Sequence, residues 1–312
     1  MSIENAPLFQ RLLARTPFSE KELVVLIATA PTRYKDHYIN KRNGRGKRLI
    51  SQPTKEIKFL QRILIKHELA DLPMHDAAMA YRKRLSTRHH AEQHASSRYL
   101  LKLDFRDFFL SLHASALDYR LEHDTNFSHA ERWLICNILC RRVPKTTILR
   151  LSIGAPSSPF VSNYLMHEFD AKLTEFCNSN GVRYTRYADD LALSTSNPHV
   201  LDRVNEEVHR ILEELSYLQI SLNNEKTINV SKKRRRTLVG LTLSNDGDVS
   251  VGRDEKRKIR AAFHAFSLGK LSSEEVGRLR GKLAYLYGID QAFVLNLCQK
   301  YGVESIAQMG LA

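Results

Sequence analysis

Apolar positions along the chain switch between helical and strand spacing several times, and the switches mark out the elements. Leu12, Leu13, Leu23, Val24 and Ile27 fall at helical spacing and predict a helix over residues 8–30. The stretch RYKDHYINKRNGRGKRLISQP alternates as a hairpin does, with Asn43-Gly44 as its turn signal. Helical spacing returns over 55–70, KEIKFLQRILIKHELA. Residues 99–109, YLLKLDFRDFF, read as a short apolar strand running into Asp104, and a helix is predicted over 128–142. LSIGAPSSPFVSNYLMHEFDAKLTEF opens as a Gly/Pro/Ser loop. It continues as a helix with Phe160, Tyr164, Leu165, Phe169, Leu173 and Phe176 toward the core. Ser158 is the expected N-cap there, and Pro159 suits the first helical position. A hairpin around YADD follows, then a helix over 199–218, the segment ISLNNEKT, the basic run KKRRR at 232–236 and a strand pair around LVGLTLSNDGDVSVG. The last sixty or so residues read as helical, and no internal repeat or low-complexity tract interrupts the pattern.

Length and composition change this picture little. A chain of 312 residues with 43% hydrophobic content can form one large globular unit or two to three subdomains. Charge changes it more. Lys plus Arg number 48 and Asp plus Glu number 34, so the net charge is +14. Such a surplus favours a polyanionic partner, nucleic acid first and an anionic membrane surface second. No apolar run approaches the ~20 residues of a membrane span, and MSIENAPLFQ lacks the basic-then-apolar layout of a signal peptide. The expectation is a soluble cytoplasmic protein with no membrane partner. Cys136, Cys140, Cys177 and Cys298 match no paired zinc pattern, and Cys136 and Cys140 read as helix core thiols.

Candidate chemistry centres on YTRYADDLALST, residues 184–195, where Asp189 and Asp190 interrupt a sheet-forming stretch. Asp-Asp in a turn has an ordinary structural explanation, since Asp tolerates turn geometry. Nucleotide transfer offers another. It needs two hard cations ~3.5–4 Å apart, one for the attacking hydroxyl and one for the leaving pyrophosphate. Mg²⁺ takes oxygen ligands and keeps positions open for water and substrate phosphates. Two or three carboxylates on rigid neighbouring elements would serve, and a strand ending in Asp104 beside a hairpin presenting Asp189 and Asp190 supplies them. Each piece alone is weak. The order D-x-x-x-F-F, G-A-P-S-S-P-x-x-S-N, Y-A-D-D, G-L is far more specific.

In that order the sequence resembles the bacterial retron-type reverse transcriptases, from about residue 34 to residue 300. LDFRDFF resembles the family's first metal-binding motif, which implies Asp104 and the backbone carbonyl of Phe105 as ligands. Phe109 falls at the ribose gate, where a bulky ring would exclude a 2′-hydroxyl. YADD resembles the catalytic turn and implies Asp189 and Asp190 as ligands. GAPSSPFVSN resembles the loop and helix that shape the nucleotide and template pocket, which brings in Ala155, Pro156 and Ser157. GRGKRLISQP resembles the fingers segment, with Lys47 and Arg48 for the incoming triphosphate. SLNNEKT resembles the later palm motif whose lysine, here Lys226, lies near the leaving pyrophosphate. LVGLTL resembles the strand pair that grips the primer end and brings in Gly240. RHHAEQHAS is similar to the N-A-x-x-H segment of retron enzymes, with His90 in place of Asn and Ala91 and His94 kept. RTLVGL is similar to their V-T-G segment. Ile153 stands where many members have Gln, so a hydrogen bond from that side chain to the nucleotide is lost.

The resemblance implies an α+β right-hand polymerase. Fingers are expected over 1–98, a palm with an antiparallel sheet over 99–249 (with a helical fingers excursion at about 113–150) and a small helical thumb over 250–312. No ribonuclease H, maturase or zinc-containing endonuclease domain is expected after that thumb. Implied ligands are deoxynucleotides and two Mg²⁺, with Mn²⁺ as a substitute. Implied partners are a structured non-coding RNA and its DNA product. Priming from an RNA 2′-hydroxyl would give a branched RNA–DNA (msDNA), with a place in antiphage defence beside a separate effector protein. His94 is expected to be structural or to touch RNA; with His90 it makes a poor metal site, since no third ligand is near. Tyr187 suits either sheet packing or the primer terminus. The basic hairpin and the KKRRR run each read as a solvated charge cluster or a phosphate contact. Two other functions fit the bulk features: a reverse transcriptase of group II intron-like or diversity-generating type, and a non-catalytic RNA-binding scaffold.

Overall fold

The computed structural model describes residues 3–41, 44 and 46–309. The helix expected over 8–30 is two helices, α1 (Pro7–Arg15) and α2 (Glu20–Thr29). Thr16 is already extended, Pro17 cannot donate to a helix, and a reciprocal Ser19–Glu22 capping box starts the chain afresh. β1 (Tyr34–Asn40) pairs antiparallel with β2 (Lys47–Pro53), from Tyr34↔Pro53 to Asn40↔Lys47. Arg42, Asn43 and Arg45 of the expected basic turn lie outside the described residues. α3 (Lys55–His67) and α4 (Thr87–Ala95) follow, the latter opened by a Ser86–His89 capping box.

β3 (Tyr99–Asp104) then leads through α5 (Phe108–Ser111), α6 (Ala114–Asp124) and α7 (His129–Leu139). A two-residue pair, β4 (Arg141–Arg142) and β5 (Leu149–Arg150), comes next. The stretch expected as one helix after the Gly/Pro/Ser loop is α8 (Ser158–Leu165) and α9 (His167–Ser179), divided at Met166. The N-cap is Ser157 rather than Ser158, because the Ser158 hydroxyl is spent on the Ser152 carbonyl at 2.7 Å. Phe160 and Phe176, at the ends of the expected stripe, are half-buried; its four inner members are fully buried.

β6 (Arg183–Tyr187), β7 (Asp190–Thr195), α10 (Val200–Glu214) and β8 (Ile228–Ser231) complete a four-stranded antiparallel sheet ordered β6-β7-β3-β8. The helix expected over 199–218 stops at Glu214, with a 3₁₀ turn at Ser216–Leu218. Cross-strand register sorts the sheet into two faces. Leu101 with Leu193, Leu103 with Leu191, and Tyr184 with Leu193 look toward α9 and α10 and the larger hydrophobic core. Asp104 with Asp190, Lys102 with Ala192, and Tyr187 with Asp190 look the other way. The β6 edge is closed by a parallel bridge from Ala78 to Arg186.

A second core forms around β9 (Arg236–Leu238), β10 (Leu241–Leu243), β11 (Val249–Ser250), α11 (Arg253–Ser267), α12 (Ser273–Tyr287) and α13 (Gln291–Lys300). It reaches back to Ala91 and Ala95 of α4 and Leu100 of β3, so α4 lies between this core and the sheet. The four cysteines are free and buried, and no described helix is long and apolar enough to cross a membrane.

The basic run divides. Lys233 and Arg234 are exposed, but Arg236 is turned inward, donating to the carbonyls of Ala95 at 3.2 Å and Ser244 at 2.5 Å and to that of Ser97. A phosphate contact from Arg236 is thereby excluded in this arrangement. Arg236→Leu leaves three carbonyls without this donor, one of them in a buried hydrogen bond and two in part-buried ones, and should cost about 2–4 kcal/mol in urea unfolding, whereas Lys233→Ala should stay within about 0.5 kcal/mol.

Candidate active site

The YADD turn is made by sheet register. Tyr187 and Asp190 are the last pair of the β6–β7 hairpin, leaving Ala188 and Asp189 as a two-residue turn. Ala188 sits in the left-handed region at φ 59°, a conformation an alanine adopts only where neighbours enforce it. Asp190 lies directly across from Asp104 on β3. The Phe105 N–H donates to the Asp189 carbonyl at 3.0 Å, tying the exit of β3 to the turn. Beyond it, Asn223 N–H donates to the Asp104 carbonyl at 2.7 Å and Arg106 N–H to the Ser221 carbonyl at 2.9 Å. Three carboxylates are therefore carried on one face by two strands and one turn.

Their charges oppose one another. Burial, then the charges of Asp189 and Asp104, push Asp190 up to about 6. Asp189 is raised by burial and by Asp104, against the pull of Lys226 and Arg48. Lys226, in a 3₁₀ turn at Asn224–Lys226, places Nζ 2.7 Å from Asp104 Oδ1. Among the described residues no three His, Cys, Asp or Glu side chains close on a single metal-sized point. Mg²⁺ needs no such closed group, since it binds one or two carboxylates plus substrate phosphates rather than an all-protein cage. The donor set fits as well, being hard oxygen throughout with unbalanced negative charge that a cation would relieve.

A second group stands beside the carboxylates. The Gly/Pro/Ser loop is fastened to β2: Ser51 N–H donates to the Ile153 carbonyl at 2.7 Å, and Ser152 Oγ donates to the Ser51 carbonyl at 3.3 Å. Gly154, at φ 117°, lies so close that a Cβ would meet the Ser51 carbonyl oxygen and Ile50 Cγ2 at 3.1 Å. The loop borders a cavity of about 390 Å³ lined by Lys58, Arg62, Tyr81, Phe109, Ile153 and Pro156. The Phe109 ring is held between Tyr81 and Phe108, with centroids 6.3 and 5.4 Å away. Ala155 also lines the cavity and is buried. Arg48 is exposed on β2 and close enough to Asp189 and Tyr81 to favour their anionic forms; Lys47 is exposed one residue nearer the hairpin tip.

Other expected residues sit differently. His94 is wholly buried, with Nε2 2.7 Å from Thr185 Oγ1 and Nδ1 2.8 Å from Ser194 Oγ. It fastens α4 to the sheet, so the expectation that it meets nucleic acid is corrected. His90 is equally buried beside Thr185, and its ring lies 5.5 Å from that of Tyr187, which is half-buried. Ser157 is also fully buried, which removes it from direct contact with nucleic acid. Gly240 is exposed at the Val239–Gly240 turn of the three-stranded sheet, a sheet separate from the one that carries the carboxylates. Sequence reading passed over Tyr81, Lys58, Arg62 and Arg186. Only Arg186, next to YADD, carried a positional hint.

The Reverse transcriptase (RNA-dependent DNA polymerase) family model matches residues 39–243. The retron Ec83 reverse transcriptase of Escherichia coli is 38% identical over 289 residues, covering 90% of this chain and 91% of that one. The chain belongs to the bacterial retron-type reverse transcriptases. The retron Ec73 enzyme of Escherichia coli is 32% identical, covering 85% of this chain and 86% of that one. Among the bacterial classes considered above, this places the retron reverse transcriptase ahead of the intron-like and diversity-generating types. An apo telomerase from Candida tropicalis superposes with a TM-score of 0.50 at 13% identity, over 88% of this chain and 58% of that one. That likeness bears on the fold, a right-hand polymerase. By family the protein is an RNA-directed DNA polymerase of a retron.

The raised Asp190 has a consequence for stability. Its folded pKa of about 6 lies above the unfolded value of about 3.9. The cost of its charge is thus full above pH 6 and disappears as pH falls toward 4. In a chelator, Asp190→Asn should be more stable than wild type at pH 7.5 by about 1–2 kcal/mol after allowance for solvent screening, and so unfold at a higher temperature. The gap should close by pH 4. Adding Mg²⁺ at pH 7.5 should stabilise wild type more than the variant; a gap independent of pH and Mg²⁺ would contradict this account.

Proposed function

We propose that the face carrying Asp104, Asp189 and Asp190 is the polymerising centre, where deoxynucleotides are added to DNA copied from a structured non-coding RNA. The observation that carries this reading is the Asp104–Asp190 cross-strand pair with Asp189 in the adjoining strained turn. The three carboxylates, with the Phe105 carbonyl, would hold two Mg²⁺ or Mn²⁺. When bound, these ions activate the attacking hydroxyl and steady the leaving pyrophosphate. Arg48 and Lys47 approach from β2 to meet the triphosphate. Phe109, backed by Tyr81, presents a ring against the sugar and disfavours a 2′-hydroxyl. Ala155 and Pro156 wall the nucleotide, and the apolar Ile153 offers it shape alone. Lys226 holds Asp104 and is near enough to turn to the pyrophosphate as negative charge develops there. Tyr187, its ring tilted against that of His90, is positioned for the primer terminus, and Gly240 for the primer strand.

In this reading residues 1–98 act as fingers, 99–249 as palm and 250–312 as thumb, with the net charge of +14 serving a hybrid gripped by its backbone. Family membership supports the rest: priming from an RNA 2′-hydroxyl, a branched msDNA product that stays bound, and a role in antiphage defence with a separate effector protein.

Expression with the flanking DNA, purification and extraction of bound nucleic acid give the test. A denaturing gel should show a discrete DNA band that shortens after ribonuclease and is absent from Asp189→Asn. RNA without DNA in the wild type would overturn the reading. Phe109→Ala should raise ribonucleotide incorporation relative to deoxynucleotide by about 10-fold or more, the scale of a lost steric contact at a binding pocket; an unchanged ratio would remove Phe109 from the gate.

A further inference from the structure

Arg186 is wholly buried, as is its partner Asp170 in α9. The two are joined at both ends: Nε to Oδ1 at 2.9 Å and Nη2 to Oδ2 at 2.6 Å. Tyr184 Oη adds a hydrogen bond to Asp170 at 2.7 Å. A buried pair of this kind seldom stabilises more than apolar side chains of the same volume would, so its presence points to another task. The remaining guanidinium nitrogen shows what that task is. Nη1 donates to the Ala188 carbonyl at 3.1 Å and to Asn163 Oδ1 at 3.2 Å. Ala188 is the left-handed residue of the turn, and its carbonyl belongs to the peptide that leads into Asp189. Asn163 in turn donates to the Ala80 carbonyl at 3.0 Å, next to Tyr81 on the cavity wall. The Arg186 backbone is pinned as well, donating to Ala77 at 2.7 Å and accepting from Met79 at 2.8 Å.

We propose that Arg186, clamped by Asp170, is a positioning residue for the reaction. Its fork fixes the Ala188–Asp189 peptide and thus the aim of the Asp189 carboxylate. Through Asn163 and Ala80 it holds that turn at a set distance from the Tyr81–Phe109 wall. The inference rests on Asp189 being a metal ligand, as proposed above. Lysine could not substitute: one ammonium lacks the planar fork that reaches Asp170, Asn163 and Ala188 together.

The double variant Arg186→Met, Asp170→Leu separates positioning from folding, because it removes both charges and keeps the volume. It leaves the Tyr184 hydroxyl, Asn163 Oδ1 and the Ala188 carbonyl without these partners, so it should unfold several degrees below wild type while still binding a synthetic primer–template with unchanged affinity. Its kcat should fall about 10–100-fold, the scale set by ångström-level misplacement of a reacting group. Half-saturating Mg²⁺ should rise, and Mn²⁺ binding measured by electron paramagnetic resonance should weaken by a similar factor. If that variant does not fold, Asn163→Ala carries the test: it leaves the ion pair whole, and should raise the deoxynucleotide KM with little change in Mn²⁺ affinity. A folded double variant with wild-type kcat and Mn²⁺ affinity, or Asn163→Ala with an unchanged KM, would overturn the proposal. Asp189→Asn in the same assays distinguishes the two levels. Undiminished synthesis by that variant would remove the site assignment itself, whereas its inactivity beside a wild-type-like double variant would remove only the role of Arg186.

Discussion

The buried Arg186–Asp170 pair is the constraint on which the rest of the site depends. Neither group can be inside alone, since an uncompensated buried charge costs several kcal/mol. Their union therefore fixes α9 against β6, and the hydrogen-bonding capacity left on both groups fixes what lies around it. Asn163 ties in α8, Tyr184 ties in the neighbouring sheet position, and Ala188 ties in the turn. β6 contributes to both faces of the sheet, because its alternate residues serve opposite purposes. Tyr184 and Arg186 point into the core, while Thr185 and Tyr187 point toward α4 and the cleft.

The opposite face is held by a different chemistry. Thr185 and Ser194 receive His94, and Thr185 also receives His90. Burial pushes His90 down to about 4 and His94 well below its usual range, so both imidazoles are neutral at physiological pH. Neutral rings can pack against the sheet without a counter-charge, so the negative charge on that face gathers at its acidic end. Lys102 and Lys226 temper it from the protein side.

Much of the fold was legible in the sequence because hydrophobic period survives in the elements that form it. β3, β7 and α3 alternate or repeat cleanly, and LDFRDFF and YADD carried the carboxylates to one face in the right register. Period failed where the residues that matter are polar. α4 contains no apolar stripe beyond two alanines, and its buried side chains are histidines paired across 91 and 100 residues of sequence. That pairing has no local signature, which is why the sequence left a structural role and an RNA contact both open for His94. Arg236 misled for the same reason: five consecutive cations look solvated, yet one of them donates to three carbonyls, two from the distant Ala95–Ser97 segment and one at the end of its own hairpin. Tyr81 and Arg62 escaped notice because the cavity they line is assembled from elements far apart in the chain.

Strain follows the same geography. Ala188 and Val239 both hold a left-handed backbone in two-residue hairpin turns, and a β-branched residue tolerates that conformation poorly. Ala188 has a buried guanidinium and the Phe105–Asp189 hydrogen bond to enforce it. Val239 is followed by Gly240 at φ 84°, so the second position of its turn is free of strain and the hairpin geometry itself carries the first. The two turns are thus stiffened by unlike means, a polar clamp inside the sheet and backbone geometry at the exposed sheet. A turn that must hold charged oxygen in a fixed direction needs the clamp, because the mutual repulsion of Asp104, Asp189 and Asp190 acts continuously to open it.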